Sequence, residues 1–123
     1  MNSDKPVFLQ IMEMIEDDIL SGVYKIDDMI ISTTQISKLL NVNPTTSVKA
    51  VSKLTDEGIL YKKRGLGMCV THEARDIILT RRKKDFIDRS VPELVSEADK
   101  LNISENELFE ICLLYTSPSP RDA

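Results

Sequence analysis

From Asn43 to Val70 the chain reads Asn-Pro-Thr-Thr-Ser-Val-Lys-Ala-Val-Ser-Lys-Leu-Thr-Asp-Glu-Gly-Ile-Leu-Tyr-Lys-Lys-Arg-Gly-Leu-Gly-Met-Cys-Val, and this order constrains the fold more than any other part of the sequence. Asn43 is a good helix N-cap, and Pro44 suits the first helical position, where its missing N–H would have no intrahelical partner anyway. Gly58 supplies a stop. Two short strands are then expected, Ile59 to Lys63 and Met68 to Val70, flanking Arg64-Gly65-Leu66-Gly67, whose glycines permit the positive φ of a tight reversal.

The segment upstream turns this into a helix-turn-helix. Ser32-Thr33-Thr34-Gln35 carries a capping-box pattern, with Ile36, Leu39 and Leu40 as the inward face of the helix it opens. Asn41 tolerates a left-handed backbone, so Leu40-Asn41-Val42-Asn43 can end one helix, bury Val42 and cap the next. Within the next helix, Ser47, Ala50, Val51 and Leu54 share one face, leaving Thr45, Thr46, Lys49 and Lys53 elsewhere. Val48 lies between the faces, where core packing and contact with a thymine methyl fit the pattern equally well.

The N-terminal segment predicts a first helix starting near Pro6, capped by Ser3 or Asp4 and closed by Gly22. Its apolar stripe is Val7, Ile11, Ile15 and Ile19, widened by Phe8, Met12 and Leu20; Glu13, Glu16, Asp17 and Asp18 fall mainly on a solvated face. Met29-Ile30-Ile31 can form a short strand against the hairpin.

Charge is distributed unevenly. The 123 residues carry a net charge of −4, yet Lys49, Lys53, Lys62, Lys63 and Arg64 outnumber Asp56 and Glu57 in the central stretch. Nucleic-acid binding depends on such a local patch and not on the total. Short hydroxyls at the start of the third helix let it enter a major groove, and Lys49 can reach a base edge or a phosphate. A cationic triplet by itself is more often a solvated hairpin, but placed directly after a helix-turn-helix it can follow a phosphate backbone or enter a minor groove. Gly65 and Gly67 allow close approach. The candidate DNA-contact set is Ser32, Thr34, Thr45, Thr46, Lys49, Lys53, Lys62, Lys63, Arg64, Gly65 and Gly67.

Beyond Val70 the pattern is helical. Ala74, Ile77, Ile78 and Phe86 are apolar, and Arg81-Arg82-Lys83-Lys84 reads more readily as a solvated surface than as a phosphate contact. Pro92 suggests a new helix with Leu94, Val95, Ala98 and Leu101 inward, and Ser104 caps another that carries Leu108, Phe109 and Ile111. Segments this short do not bury their apolar faces alone, so pairing with a second copy is expected through Ile77, Ile78, Phe86, Leu94, Val95 and Leu101.

Other classes find less support. His72 is the single histidine, Cys69 and Cys112 lack metal-ligand spacing and read as reduced, partly buried thiols, and no nucleophile-base constellation stands out. The expectation is therefore a non-enzyme without metal or cofactor. No stretch has the form of a signal peptide or a membrane span, which predicts a cytoplasmic protein. A protein-interaction module using the acidic first helix as its docking face is the alternative to DNA binding.

The ordered set Asn43-Pro44-Thr45-Thr46, Lys49-Ala50, Leu54, Asp56-Glu57-Gly58-Ile59 and Arg64-Gly65-Leu66-Gly67-Met68 resembles the winged helix-turn-helix of the GntR family of bacterial transcription regulators. The Asn-Pro-x-Thr start and the Tyr61-Lys62-Lys63-Arg64-Gly65 wing are similar to its YtrA-type subfamily. The resemblance runs from about Pro6 to Cys112. It implies DNA contacts from Thr45, Thr46, Lys49, Arg64, Gly65 and Gly67, and a compact helical dimerisation appendage. The chain departs from the family in having Ile26-Asp27 for a usual Pro-Gly, Ile31-Ser32 for Pro-Ser, Thr34 for a DNA-contacting arginine, Ser47 for a core valine and Cys69 for an aromatic residue.

The expected fold is mainly α with a small β-hairpin: a winged helix-turn-helix DNA-binding domain over residues 1–72, then a short C-terminal helical dimerisation appendage, shortened at its end, over residues 73–112. Residues 113–123 are expected to be a disordered, non-native tail, because Pro118 and Pro120 forbid an uninterrupted helix and the segment resembles translated sequencing-adapter sequence. The partners expected are double-stranded DNA and a second copy of the chain, with any effector unidentified and no membrane.

Overall fold

A computed structural model describes residues 4–116. The elements are α1 (Val7–Leu20), α2 (Thr33–Leu40), α3 (Pro44–Asp56), β1 (Leu60–Lys63), β2 (Gly67–Val70), α4 (Ala74–Lys100) and α5 (Glu105–Tyr115). The chain divides into two compact units, Met1–Arg81 and Arg82–Ala123.

The first unit is a winged helix-turn-helix. Ile11, Ile15 and Ile19 of α1 pack with Ile36 of α2, with Ala50, Val51 and Leu54 of α3, and with Ile59, Leu60 and Val70 of the hairpin in one core. Each helix begins as its local chemistry demands. Ser32 accepts from the Gln35 N–H while Gln35 reaches back to the Ser32 N–H, a complete capping box. Asn41 takes a left-handed conformation with φ 54°, ending α2 and turning the chain toward Asn43, which caps α3. Gly58, at φ 84°, reverses the chain after α3, and the Thr71 hydroxyl donates to its carbonyl at 2.6 Å.

Strands β1 and β2 are antiparallel, pairing Leu60 with Val70, Tyr61 with Cys69, Lys62 with Met68 and Lys63 with Gly67. The expected third segment is present as a single bridge between Met29 and Cys69, supported by Ile30 N–H donating to the Met68 carbonyl at 2.9 Å.

Several expectations need correction. The N-cap position of α1 falls on Pro6, two residues past Asp4, and Pro6 itself makes no side-chain cap bond; Ser3 lies outside the described residues. Leu39 points to solvent, 70% exposed, and buried Ser37 takes the inward place beside Ile36, as the 3.6-residue period requires once α2 is docked. Glu16 is buried and not on a solvated face, because the Arg81 guanidinium reaches it.

The second unit comprises the remainder of α4 after Arg81 and α5. Pro92 lies inside α4 and starts no new helix. The backbone bond it lacks would have gone to Asp88, an exposed residue whose carbonyl can turn to water. Asn102 at φ 57° closes the turn, Ile103 N–H donates to the Ala98 carbonyl at 2.9 Å, and Ser104 caps α5. Leu113, Leu114 and Tyr115 continue α5, so the expected tail does not begin at residue 113: nothing before Thr116 breaks the helical run. The proline-containing remainder of that segment lies outside the described residues. Cys69 is buried, whereas Cys112 is exposed, contrary to a reading of both thiols as partly buried.

Candidate nucleic-acid interface

The start of α3 is built around Asn43. Its side-chain oxygen accepts from the Thr45 N–H at 2.9 Å and from the Thr45 hydroxyl at 2.8 Å. This fixes the first turn, in which the Thr46 and Ser47 N–H groups donate to the Asn43 carbonyl at 2.9 and 3.4 Å, and the positive end of the helix dipole there favours an anion. Thr45, Lys49 and Lys53 are exposed, while Thr46 is half-buried and offers less surface. The Lys49 ammonium lies 4.1 Å from the centre of the Phe8 ring, so a cation–π contact with α1 restrains it. Ser52, exposed at seven residues from Thr45 on the same face, was not singled out by the sequence; its helical spacing was the available signal.

Opposite the exposed surface, Ser47 is buried and its hydroxyl meets that of Ser37 at 2.8 Å. The buried serine of α3 is thus paired with a second hydroxyl from α2, across the turn of the helix-turn-helix.

The wing tip is a four-residue turn in which Leu66 N–H donates to the Lys63 carbonyl at 3.0 Å and Gly65 has φ 81°. Positive φ at the third turn position favours glycine. A side chain on Gly65 would meet nothing within 4 Å, so conformation and not crowding calls for glycine there. At Gly67 the φ is 147°, and an added Cβ would lie 3.5 Å from Met29 Sδ. Lys62, Lys63 and Arg64 are exposed, as is Leu66, an apolar tip residue absent from the candidate set. The base of the hairpin is held by the Tyr61 hydroxyl donating to Asp27 Oδ1 at 2.7 Å, which raises the phenol from 10.0 to about 12; His72 Nε2 lies 3.6 Å from Asp27 Oδ2. Ser32 is occupied as the cap of α2, and Thr34 is exposed on its first turn.

Of the residues expected to pair two copies, Phe86, Leu94, Val95 and Leu101 are exposed in the single chain. Ile78 is fully buried in the core of the first unit, which takes it out of an interface, and Ile77 is half-buried against the same core. Arg81 likewise belongs to no solvated run: it pairs with Glu16 of α1 and with Glu57 at the end of α3. Among the described residues no group of three or more His, Cys, Asp or Glu side chains is placed to hold a metal ion, and no helix there is long and apolar enough to cross a membrane.

A capped third helix, a left-handed turn before it and a basic hairpin after it define a winged helix-turn-helix protein. No protein-family profile matches the chain. It is 27% identical over 108 residues to the HTH-type transcriptional repressor YtrA of Bacillus subtilis (strain 168), an alignment covering 88% of this chain and 82% of that protein. Among solved structures, a putative GntR-family transcriptional regulator from Bacteroides thetaiotaomicron superposes with a TM-score of 0.75 at 29% identity, covering 89% of this chain and 96% of the other. A GntR family transcriptional regulator from Listeria monocytogenes does so at 0.67 and 28%, covering 91% and 96%. The chain is therefore a relative of the GntR-family transcription regulators, the YtrA type among them.

Proposed function

We propose that this chain is a sequence-specific DNA-binding transcription regulator, a cytoplasmic repressor that binds a pseudo-palindromic operator as a homodimer. The carrying observation is the start of α3, where Asn43 caps the helix and leaves Thr45 and Lys49 exposed beside it, joined through Gly58 to a hairpin tipped by Lys62, Lys63 and Arg64. Thr45, Thr46, Lys49 and Lys53 would face the major groove, and Arg64, Gly65 and Gly67 the backbone or minor groove. Ser32 and Thr34 would approach phosphate from the start of α2. The repressor sense is taken from the name of the Bacillus subtilis relative.

Dimerisation is supported by a stripe along α4 and the residue that follows it. Ile87, Val91, Leu94, Ala98 and Leu101 recur at alternating four- and three-residue intervals, the spacing of a helix-pairing seam. All but Ala98 are exposed in one chain, and Phe86 and Val95 flank them. A two-fold dimer sets two copies of α3 about one helical turn of DNA apart.

Selection of duplexes from a random pool, followed by footprinting, tests this reading. A two-fold symmetric protected site is expected, with affinity falling steeply with salt; three engaged cations per protomer give a log–log slope of about −5. Absence of any enriched symmetric site would refute it. Leu94→Glu should yield monomers in sedimentation and weaken operator binding, while a monomeric wild type would refute the dimer.

A further inference from the structure

The exposed face of α3 carries one large apolar side chain. Val48 is 53% exposed, three residues after Thr45 and next to Lys49, which places it one turn along the same surface; the buried positions of the helix are Ser47, Ala50, Val51 and Leu54. The core therefore does not take Val48, although the sequence pattern allowed it.

The chemistry beside it is unusually restricted. The Thr45 hydroxyl donates to Asn43 Oδ1, so its hydrogen is already committed within the protein. Thr45 can then offer a base only a methyl group and an oxygen that accepts. Lys49, the next exposed side chain, is drawn toward the Phe8 ring. Apart from Lys49, the exposed outward side chains of the first two turns, Thr45 and Val48, thus both present methyl groups and not the arginine that most often reads guanine. Among the four bases only thymine carries a methyl on its major-groove edge, and valine, branched at Cβ, holds its methyls in few rotamers.

We propose that Val48 is a specificity-determining residue that reads the 5-methyl group of a thymine in each half-site, with Thr45 beside it. This rests on the proposed DNA-binding function and names the base feature that α3 recognises.

The test uses the full chain and the duplex obtained by random-pool selection. Each thymine of a half-site is replaced in turn by deoxyuridine, which keeps every hydrogen-bonding group and removes only the methyl. At one position the wild type should bind roughly fourfold more weakly, the effect of exposing one buried methyl-sized group. In Val48→Ala that penalty should shrink to near zero, and in Val48→Thr, which keeps the side-chain volume, it should fall in between. The deoxyuridine series on the wild type does not depend on any variant folding. No penalty at any thymine, or a penalty equal in wild type and Val48→Ala, would overturn the assignment while leaving sequence-specific binding intact. Failure of the selection to enrich any duplex would instead remove the DNA-binding reading, and this assignment with it.

Discussion

Replacing Arg81 by methionine should destabilise the first unit through a charge left behind on another helix. The Glu16 side chain is 3% exposed, and Arg81, itself 31% exposed, forms hydrogen bonds both to it and to Glu57, whose side chain is 34% exposed. Methionine keeps much of the length and loses the charge. Removing one partner of a fully buried pair costs at most about 3–5 kcal/mol, because the remaining charge loses compensation it had in the folded state. The Glu57 half is screened by water and contributes little. Since about a third of Arg81 is also wet, a loss of roughly 2–3 kcal/mol is expected. For a unit of this size that corresponds to a fall in Tm of roughly 10–20 °C. Urea unfolding followed by circular dichroism should show a lower midpoint with an unchanged slope. In the double variant with Glu16→Gln, at least about 1 kcal/mol of the loss should return as coupling between the sites. A loss under about 0.5 kcal/mol, or strictly additive effects, would refute the account of Arg81 as the counter-charge of Glu16.

Three further outcomes are expected. Ser47→Ala should cost about 1–2 kcal/mol in urea unfolding, because it strips the buried Ser37 hydroxyl of its partner, and the double alanine variant should cost less than the sum of the singles. The Tyr61 phenol should titrate at about 12, measured as the absorbance difference between wild type and Tyr61→Phe, and Asp27→Asn should bring it back toward 10.0. Because the folded value lies above the unfolded one, the stabilisation from this bond is fully present below pH 10 and is lost as pH rises toward 12. Alanine at Lys62, Lys63 and Arg64 together should lower affinity for all duplexes alike and flatten the salt dependence by about 0.9 for each phosphate no longer neutralised; a change of base preference without a change of slope would assign the wing to base reading instead.

The recognition module is largely legible in the sequence. Ser32, Asn41, Asn43, Pro44 and Gly58 act through their own backbone and the next few residues, so their roles can be read from identity and spacing. The wing is legible for the same reason, since Gly65 and Gly67 meet a conformational demand set within the turn. Pro92 misleads because a proline marks either a helix start or a tolerated interruption, and the flanking sequence alone does not separate the two.

Sequence by itself determined the helix ends, the reversal of the hairpin and the placement of five cations along the central stretch, all short-range properties. Tertiary structure alone decided that Glu16 meets Arg81 across 65 positions, that Ser47 meets Ser37, that Tyr61 meets Asp27, and that Ile78 lies in the core while Val48 faces outward. Burial and charge pairing depend on which distant segments approach one another, and a helical period locates a face without naming what will cover it.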